Sequence, residues 1–311
     1  MRQIPVGFVR EGVDLVIGQG SVIDESVLKQ ELNDLMAAGF GYVGDWLYID
    51  NMATVLLPLD KKTEEAGTLN DRIGSTAKGI GVARAGRIMR TQPVVRDFPQ
   101  ISGLGQGGVG HHTSGIIREN LAAGRTVIVE GTQGFELSLH GWLYPYATSQ
   151  DCTALDVLAQ AGIPPWDDSV NAFEVWVVFR TYPIRVAGKS GPMRDEITWE
   201  MLKYRSNGYI KPEKTTVTQR VRRVGEWDPN LAERAVNANG GKHSWSLKTA
   251  LMMTDYLNPK FAGITEKEKD AGLLQDLRLA VEPLERPIGR PFDLLGTGPQ
   301  SIVDRRVGLN G

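Results

Sequence analysis

Apolar residues in this chain come in short runs that stop at glycine, and between the runs they recur at helical spacing. "VDLVIGQGSVI", from Val13 to Ile23, has the form of a buried strand that ends in a glycine turn. The next stretch, "DESVLKQELNDLMAAG", opens on capping residues Asp24 and Ser26, carries apolar positions at helical spacing and closes on Gly39, which predicts a helix. "RTVIVEGTQGF" repeats the pattern: the β-branched run Val127 to Val129 predicts a strand that stops at Glu130 and Gly131. "AFEVWVVFRTYPIRV" predicts two strands broken near Pro183, and "RPFDLLGTGP" a late strand ending in a glycine-proline turn. Strands that end in glycine turns and lead into helices define an α/β sheet, whose ligands bind at the carboxyl ends of the strands. No repeat or low-complexity linker divides the chain, so residues 1–311 are read as a single domain.

Composition narrows the function. The 311 residues are 41% hydrophobic and 23% charged, which suits an ordinary globular protein with a substantial core. The single cysteine, Cys152, excludes an internal disulfide and any CxxC motif, and so predicts a reducing, cytoplasmic setting. His111 and His112 are adjacent and share no face, and His140 and His243 stand alone, so no protein-held transition metal is expected. No apolar run has the length of a membrane span, and "MRQIPVGF" lacks the form of a signal peptide. A net charge of -2 argues against a general nucleic-acid binder. Clustered arginines must then serve a local anion.

Three glycine motifs fail on context. "GLGQGG", Gly103 to Gly108, follows no strand and reads as a loop before the helix "TSGIIRENLAAG". "GKS" at Gly188 has Pro183 where a phosphate loop needs glycine, and "GGKHS" has His243 where Ser or Thr would hold magnesium. The arginines of "TTVTQRVRRVGEWD" carry more. Arg220 and Arg222 are two apart on an extended segment and can point the same way, as two forks for a dicarboxylate, whereas Arg223 points oppositely toward a structural ion pair. An edge strand charged against aggregation is the plainer alternative. "GSTAKGIG" brings small residues and hydroxyls of the kind that let backbone N–H groups approach an oxyanion.

Taken in order, "RQIPVGF", "IGQGSVID", "GSTAKGIG", "EGTQGFELSL", "YPYATS", "RVRRVG" and "GTGP" resemble the adenylosuccinate synthetase family over essentially the whole chain. The short spacing between "GSTAKGIG" and "EGTQG" is similar to its archaeal and phage branch. "TSQDCTALDVLAQAGIP", "YPIRVAGKSG", "DEITWEML" and "TTVTQRVRRV" look most like the phage 2-aminoadenylosuccinate synthases, which act on dGMP. The resemblance implies an α/β fold with a P-loop NTPase-like, mostly parallel central sheet flanked by helices. It also implies a carbon-nitrogen ligase that joins L-aspartate to the 6-position of a purine monophosphate, dGMP or IMP, through a 6-phosphoryl intermediate. GTP or ATP would be the phosphoryl donor, with Mg2+. By the same resemblance Thr76, Gln133, Thr148 and Arg220 hold the monophosphate, and Arg90 reaches it from the partner subunit of a homodimer. Thr218, Arg220 and Arg222 bind aspartate, while Asp255, Gly296, Gly298 and Pro299 bind the donor base. Read without the family, Arg90 is a helix-end charge and Asp255 a cap. Met253 stands where many relatives carry lysine, which leaves GTP against ATP open. The family's phosphate loop, its catalytic histidine and its magnesium site are expected upstream of Met1, so this chain by itself is expected to be an incomplete enzyme with no catalytic or metal residue of its own. A classical enzyme acting on IMP with GTP, and a non-catalytic nucleotide-binding relative, are the two alternatives.

Overall fold

The computed structural model describes residues 2–105, 112–215, 219–267 and 270–306. Contacts divide the chain, read above as one domain, into two compact units, Met1–Phe173 and Glu174–Gly311.

The first unit contains strands β1 (Leu15–Ile17), β2 (Val22–Ile23), β3 (Leu47–Ile49) and β4 (Thr54–Val55). Its helices are α1 (Glu25–Ala37), α2 (Pro58–Ala66), α3 (Leu69–Ile73), α4 (Ile80–Met89), α5 (Pro99–Ser102), α6 (Thr113–Ala122) and α7 (Ala154–Ala161). The glycine turn after Ile17 splits the first apolar run in two: β1 pairs in parallel with β3, and β2 in parallel with β4. Alternation along β1 and β3 buries Leu15, Ile17, Leu47 and Ile49, and helix α1 lays Leu28 and Leu35 on the same core. The Asp24 carboxylate caps α1 by accepting from the N–H groups of Ser26 and Val27, as expected of that residue. On the buried face of α1, the Glu31 carboxylate accepts from the N–H groups of Arg2, Gln3 and Ile4, so the chain start is tied down by a side chain rather than by a strand.

The expected strand at Val127 to Val129 is a correction. Residues 125–130 form no strand, and Ile128 is 87% exposed. A β-branched run favours extended backbone, but a strand exists only where a neighbour offers its free N–H and C=O groups. No described residue makes that pairing with this run. The helix expected after "GLGQGG" does form, as α6, while residues 106–111 lie outside the described residues.

The second unit carries strands β5 (Val175–Arg180), β6 (Ile184–Arg185), β7 (Glu196–Ile197), β8 (Arg223–Gly225), β9 (Leu247–Met252), β10 (Leu294–Gly298) and β11 (Ser301–Asp304). Helices α8 (Trp199–Arg205), α9 (Pro229–Ala238) and α10 (Ala271–Ile288) complete it. β5, β9 and β10 run parallel, with Val178 opposite Ala250 and Leu294 also opposite Ala250, and β11 closes the other edge antiparallel. The two runs on either side of Pro183 are both strands, yet they serve different sheets: β6 joins β8 and β7 in a small antiparallel sheet. Leu247 and Leu251 of β9 and Leu295 of β10 are buried in the four-stranded sheet. Phe179, Trp227 and Phe292 meet edge to face or tilted, with centroids 5.6 to 6.3 Å apart.

Candidate functional site

In the first unit the segment 74–79 hangs between two helix ends. Gly74 closes α3 in the left-handed region (φ 69°), Ala77 is also left-handed (φ 50°), and Gly79 opens α4 (φ 82°). Gly79 is needed twice over, since a Cβ there would lie 2.8 Å from the backbone nitrogen of Lys61. The buried Glu64 of α2 shapes this loop. Its Oε1 accepts the Ser75 hydroxyl at 2.8 Å, and its Oε2 accepts the Gly79 N–H. Thr76, between these two contacts, is exposed and makes no hydrogen bond among the described residues.

A second loop of the same unit carries Gln133 and Thr148. The Thr148 N–H donates to Leu137 O, the Leu139 N–H to Gln150 O and the Cys152 N–H to the Ser138 hydroxyl, so the two sides of the "YPYATS" turn are laced together. The His140 N–H donates to Asp151 at 3.0 Å and its ring Nδ1 lies 2.7 Å from the same carboxyl, and together, the backbone bond first, they hold the Asp151 carboxyl below the usual range. Burial pushes the Cys152 thiol up to about 11, so it remains protonated and unreactive at neutral pH. Arg84 of α4 donates to the Gln150 side chain and to Gly20 O, linking the helix behind Thr76 to the turn that bears Thr148. Gln133 is exposed with a left-handed backbone (φ 76°), and Gly131 beside it comes so close to Val157 that a Cβ would sit 2.6 Å from its Cγ2. Thr76, Gln133 and Thr148 share no direct bond. Arg90 caps α4 in the left-handed conformation (φ 61°) and donates to Ile88 O at 2.8 Å, the helix-end duty that its position alone suggests.

In the second unit the three arginines separate. Arg223 grips Glu196 with two nitrogens, Nε to Oε1 at 2.7 Å and a terminal nitrogen to Oε2 at 2.5 Å, and donates to Gly191 O as well. That pairing raises the guanidinium and lowers the carboxyl from their ordinary values, the hydrogen bond being the larger cause in both. Neither Arg220 nor Arg222 has an ion pair among the described residues. Their backbone is nonetheless fixed: Thr215 donates to Arg220 O at 2.9 Å, Arg222 to Glu213 O at 2.8 Å, and buried Trp199 to Arg222 O at 2.6 Å. Thr218 lies outside the described residues.

The carboxyl ends of β9 and β10 form the other cluster. Met253 takes a left-handed turn (φ 65°) that reverses the chain after β9 and places Asp255 in one turn of 3-10 helix. The Thr254 hydroxyl donates to Gly296 O at 3.0 Å, joining the Asp255 turn to "GTGP". A Cβ on Gly296 would meet Met252 at 2.4 Å. The structure therefore brings Asp255, Gly296 and Gly298 together, with exposed Pro299 at the rim. Asp255 is buried and takes the Tyr209 hydroxyl on Oδ2 at 2.7 Å, and its Oδ1 is buried without a partner. Among the described residues no group of three or more His, Cys, Asp or Glu is placed to hold a metal ion.

Glu64, Arg84 and Tyr209 were not singled out by sequence reasoning. Glu64 lies 11 and 15 residues from the groups it binds, and Arg84 lies 66 from Gln150. No local pattern announces such pairs.

Left-handed glycine turns, two arginines without ion pairs among the described residues and a buried acidic turn beside a strand end are features of a nucleotide-handling enzyme. The chain belongs to the adenylosuccinate synthetase family, whose profile matches residues 1–104 and 109–259, and it is accordingly a ligase of purine nucleotide biosynthesis. It is 34% identical to the adenylosuccinate synthetase of Pyrococcus horikoshii over 313 residues, 98% of this chain and 84% of that protein. With the Methanococcus maripaludis enzyme it shares 34% identity over 302 residues, 96% of this chain and 81% of the relative. Among solved structures it is similar to the cyanophage S-2L succinoaminodeoxyadenylate synthetase (PurZ) bound to dGMP and to dATP as an energy donor. That likeness has a TM-score of 0.71 and 27% identity, covering 100% of this chain and 83% of that one. The Plasmodium falciparum adenylosuccinate synthetase shares the fold at a TM-score of 0.73 and 18% identity, covering 98% and 88%. These relatives agree with the archaeal and phage branch read from the motif spacing.

Proposed function

We propose that the chain serves the joining of L-aspartate to carbon 6 of a purine nucleoside monophosphate, with dGMP preferred to IMP. The γ-phosphate of a nucleoside triphosphate passes to the purine 6-oxygen, releasing the diphosphate. The amino group of aspartate then attacks carbon 6, loses a proton and expels inorganic phosphate. Such chemistry rests on positioning and charge neutralisation more than on a protein nucleophile. Arg220 and Arg222 take the aspartate carboxylates, with Thr218 as a further donor, and Arg220 also serves the monophosphate. Thr76, Gln133 and Thr148 bind the monophosphate, and Arg90 does so from a partner subunit. Asp255 reads the donor base as a hydrogen-bond acceptor beside Gly296, Gly298 and Pro299.

The observation that carries this reading is the division among three neighbouring arginines. Arg223 is satisfied by Glu196, while Arg220 and Arg222 have no ion pair among the described residues and their backbones are hydrogen-bonded. Two guanidinia two residues apart, neither in an ion pair among the described residues, suit a dianionic ligand. The dGMP preference draws on the likeness to the cyanophage enzyme with its bound dGMP. The archaeal relatives named adenylosuccinate synthetase favour the second reading, IMP with GTP. Calorimetry with the two monophosphates decides between them: the chain should bind dGMP more tightly than IMP, and equal or tighter binding of IMP would hand it to the second reading.

A further inference from the structure

Asp255 is a buried carboxylate only half satisfied by the protein. It is 5% exposed, its Oδ2 accepts from the Tyr209 hydroxyl at 2.7 Å, and its Oδ1 is buried with no partner among the described residues. An acceptor buried without a donor costs stability and calls for a reason. The donor on Oδ2 is itself unusual in position, for Tyr209 is 41% exposed. Its backbone is fixed on both sides. Asn207 (φ 50°) and Gly208 (φ 85°) are left-handed in succession, and the next residue, Ile210, is buried with its N–H on the Ser206 hydroxyl at 3.0 Å. The ring thus lies at the rim of the Asp255 turn, where its side chain can rotate away without unpacking the core. The hydrogen bond to Asp255, burial, and the negative charges of Asp255 and Tyr256 push the phenol up to about 12, so the hydroxyl stays a donor at neutral pH.

We propose that Tyr209 is a placeholder for a guanine base: its hydroxyl holds Asp255 while the site is empty and leaves when guanine brings its own donors. This rests on the reading of Asp255 as the base-binding residue given above. Guanine presents N1–H and the 2-amino group side by side, two donors for two carboxylate oxygens, which compensates fully for the departing phenol. Adenine presents the 6-amino group as its only donor on that edge and cannot satisfy both oxygens. Competition with Tyr209 therefore sets the choice of donor nucleotide. Tyr209 is a specificity residue on this account, not a structural tether.

The test uses the full chain with imido analogues of GTP and ATP, titrated by calorimetry into the wild type, Tyr209→Phe, Asp255→Asn and the double variant. Removing the competing hydroxyl should tighten the guanine analogue about tenfold, the equivalent of ~1.4 kcal/mol, and leave the adenine analogue nearly unchanged. In the Asp255→Asn background the gain should vanish. The nucleotide-free Tyr209→Phe protein should melt lower than wild type, because Asp255 then has no donor. With 3-fluorotyrosine at position 209, the fluorine resonance should move on adding the guanine analogue and not on adding the adenine one. Weaker guanine binding by Tyr209→Phe, equal tightening of both analogues, or an unmoved resonance would overturn the placeholder role while leaving Asp255 as the base reader. Unchanged guanine affinity in Asp255→Asn, or no binding by the wild type at millimolar analogue, would overturn both.

Discussion

Three arginines within four positions are told apart by their partners rather than by their type. Arg223 spends its fork on Glu196, so Arg223→Ala should lower the melting temperature and leave aspartate affinity near wild type. Arg220→Ala and Arg222→Ala should do the reverse. In a chain extended by the family's phosphate loop, each should cost about 2 to 4 kcal/mol of transition-state stabilisation in aspartate use, read from kcat/KM for aspartate, because a desolvated carboxylate is left unpaired. Three variants with the same kinetic loss would dissolve the distinction. The Glu196 pairing also makes a pH prediction. Its carboxyl is lowered in the folded protein below the ordinary value of 4.5, so the folded state holds that proton less tightly than the unfolded chain does. The stability gained is complete above the ordinary value and lost as pH falls through the lowered one. The melting difference between wild type and Glu196→Gln should therefore be present at pH 7 and shrink toward pH 3. A difference independent of pH would mean that Glu196 acts through packing alone. Alternation along an extended segment was enough to set Arg223 apart from its neighbours in the sequence. Its partner was not legible there, since Glu196 is 27 residues away.

Helix α4 and the loop before it behave as one element whose entry is set by Glu64 and Gly79. Gly79→Ala places a left-handed φ on a residue that resists it and drives a Cβ toward the Lys61 backbone, which cannot yield as a flexible side chain would. A loss of about 1 to 3 kcal/mol in urea unfolding is expected, together with weaker binding of the purine monophosphate. Glu64→Ala should weaken the same binding, because the contacts to both the Ser75 hydroxyl and the Gly79 N–H are then lost. Normal monophosphate affinity in both variants would show that the loop conformation does not matter to Thr76. Elements of this kind were legible to different depths. Helix α1 was readable because its cap, Asp24, and its apolar spacing are local. The run at Val127 to Val129 was misread, because strand propensity resides in the residues whereas strand formation needs an edge supplied from elsewhere.

At the scale of the assembly, the proposed division of labour between subunits has a sharp consequence. If Arg90 serves the neighbouring subunit and Arg220 its own, a mixed dimer of Arg90→Ala and Arg220→Ala chains has one site with both arginines and one with neither. In chains extended by the family's phosphate loop, free exchange of two inactive homodimers should then restore about a quarter of wild-type activity when sites act independently. Recovery would be followed as aspartate-dependent phosphate release after confirmed subunit exchange. No recovery would leave Arg90 with the duty it has within one chain, capping α4 through Ile88 O.

The sequence by itself determined the family, the strands β5 and β6 on either side of Pro183, the glycine-ended strand β10, and the candidate residue types for phosphate, carboxylate and base, because these depend on local chemistry and on order along the chain. Only the tertiary structure decided which charges are already satisfied. Glu64 reaches across to the Gly79 turn, Arg84 to Gln150, and Tyr209 to Asp255 from 46 residues away. The reason is physical. A hydrogen bond depends on distance in space, and a buried carboxylate takes whichever donor the packing brings within reach. No spacing in the chain encodes that choice.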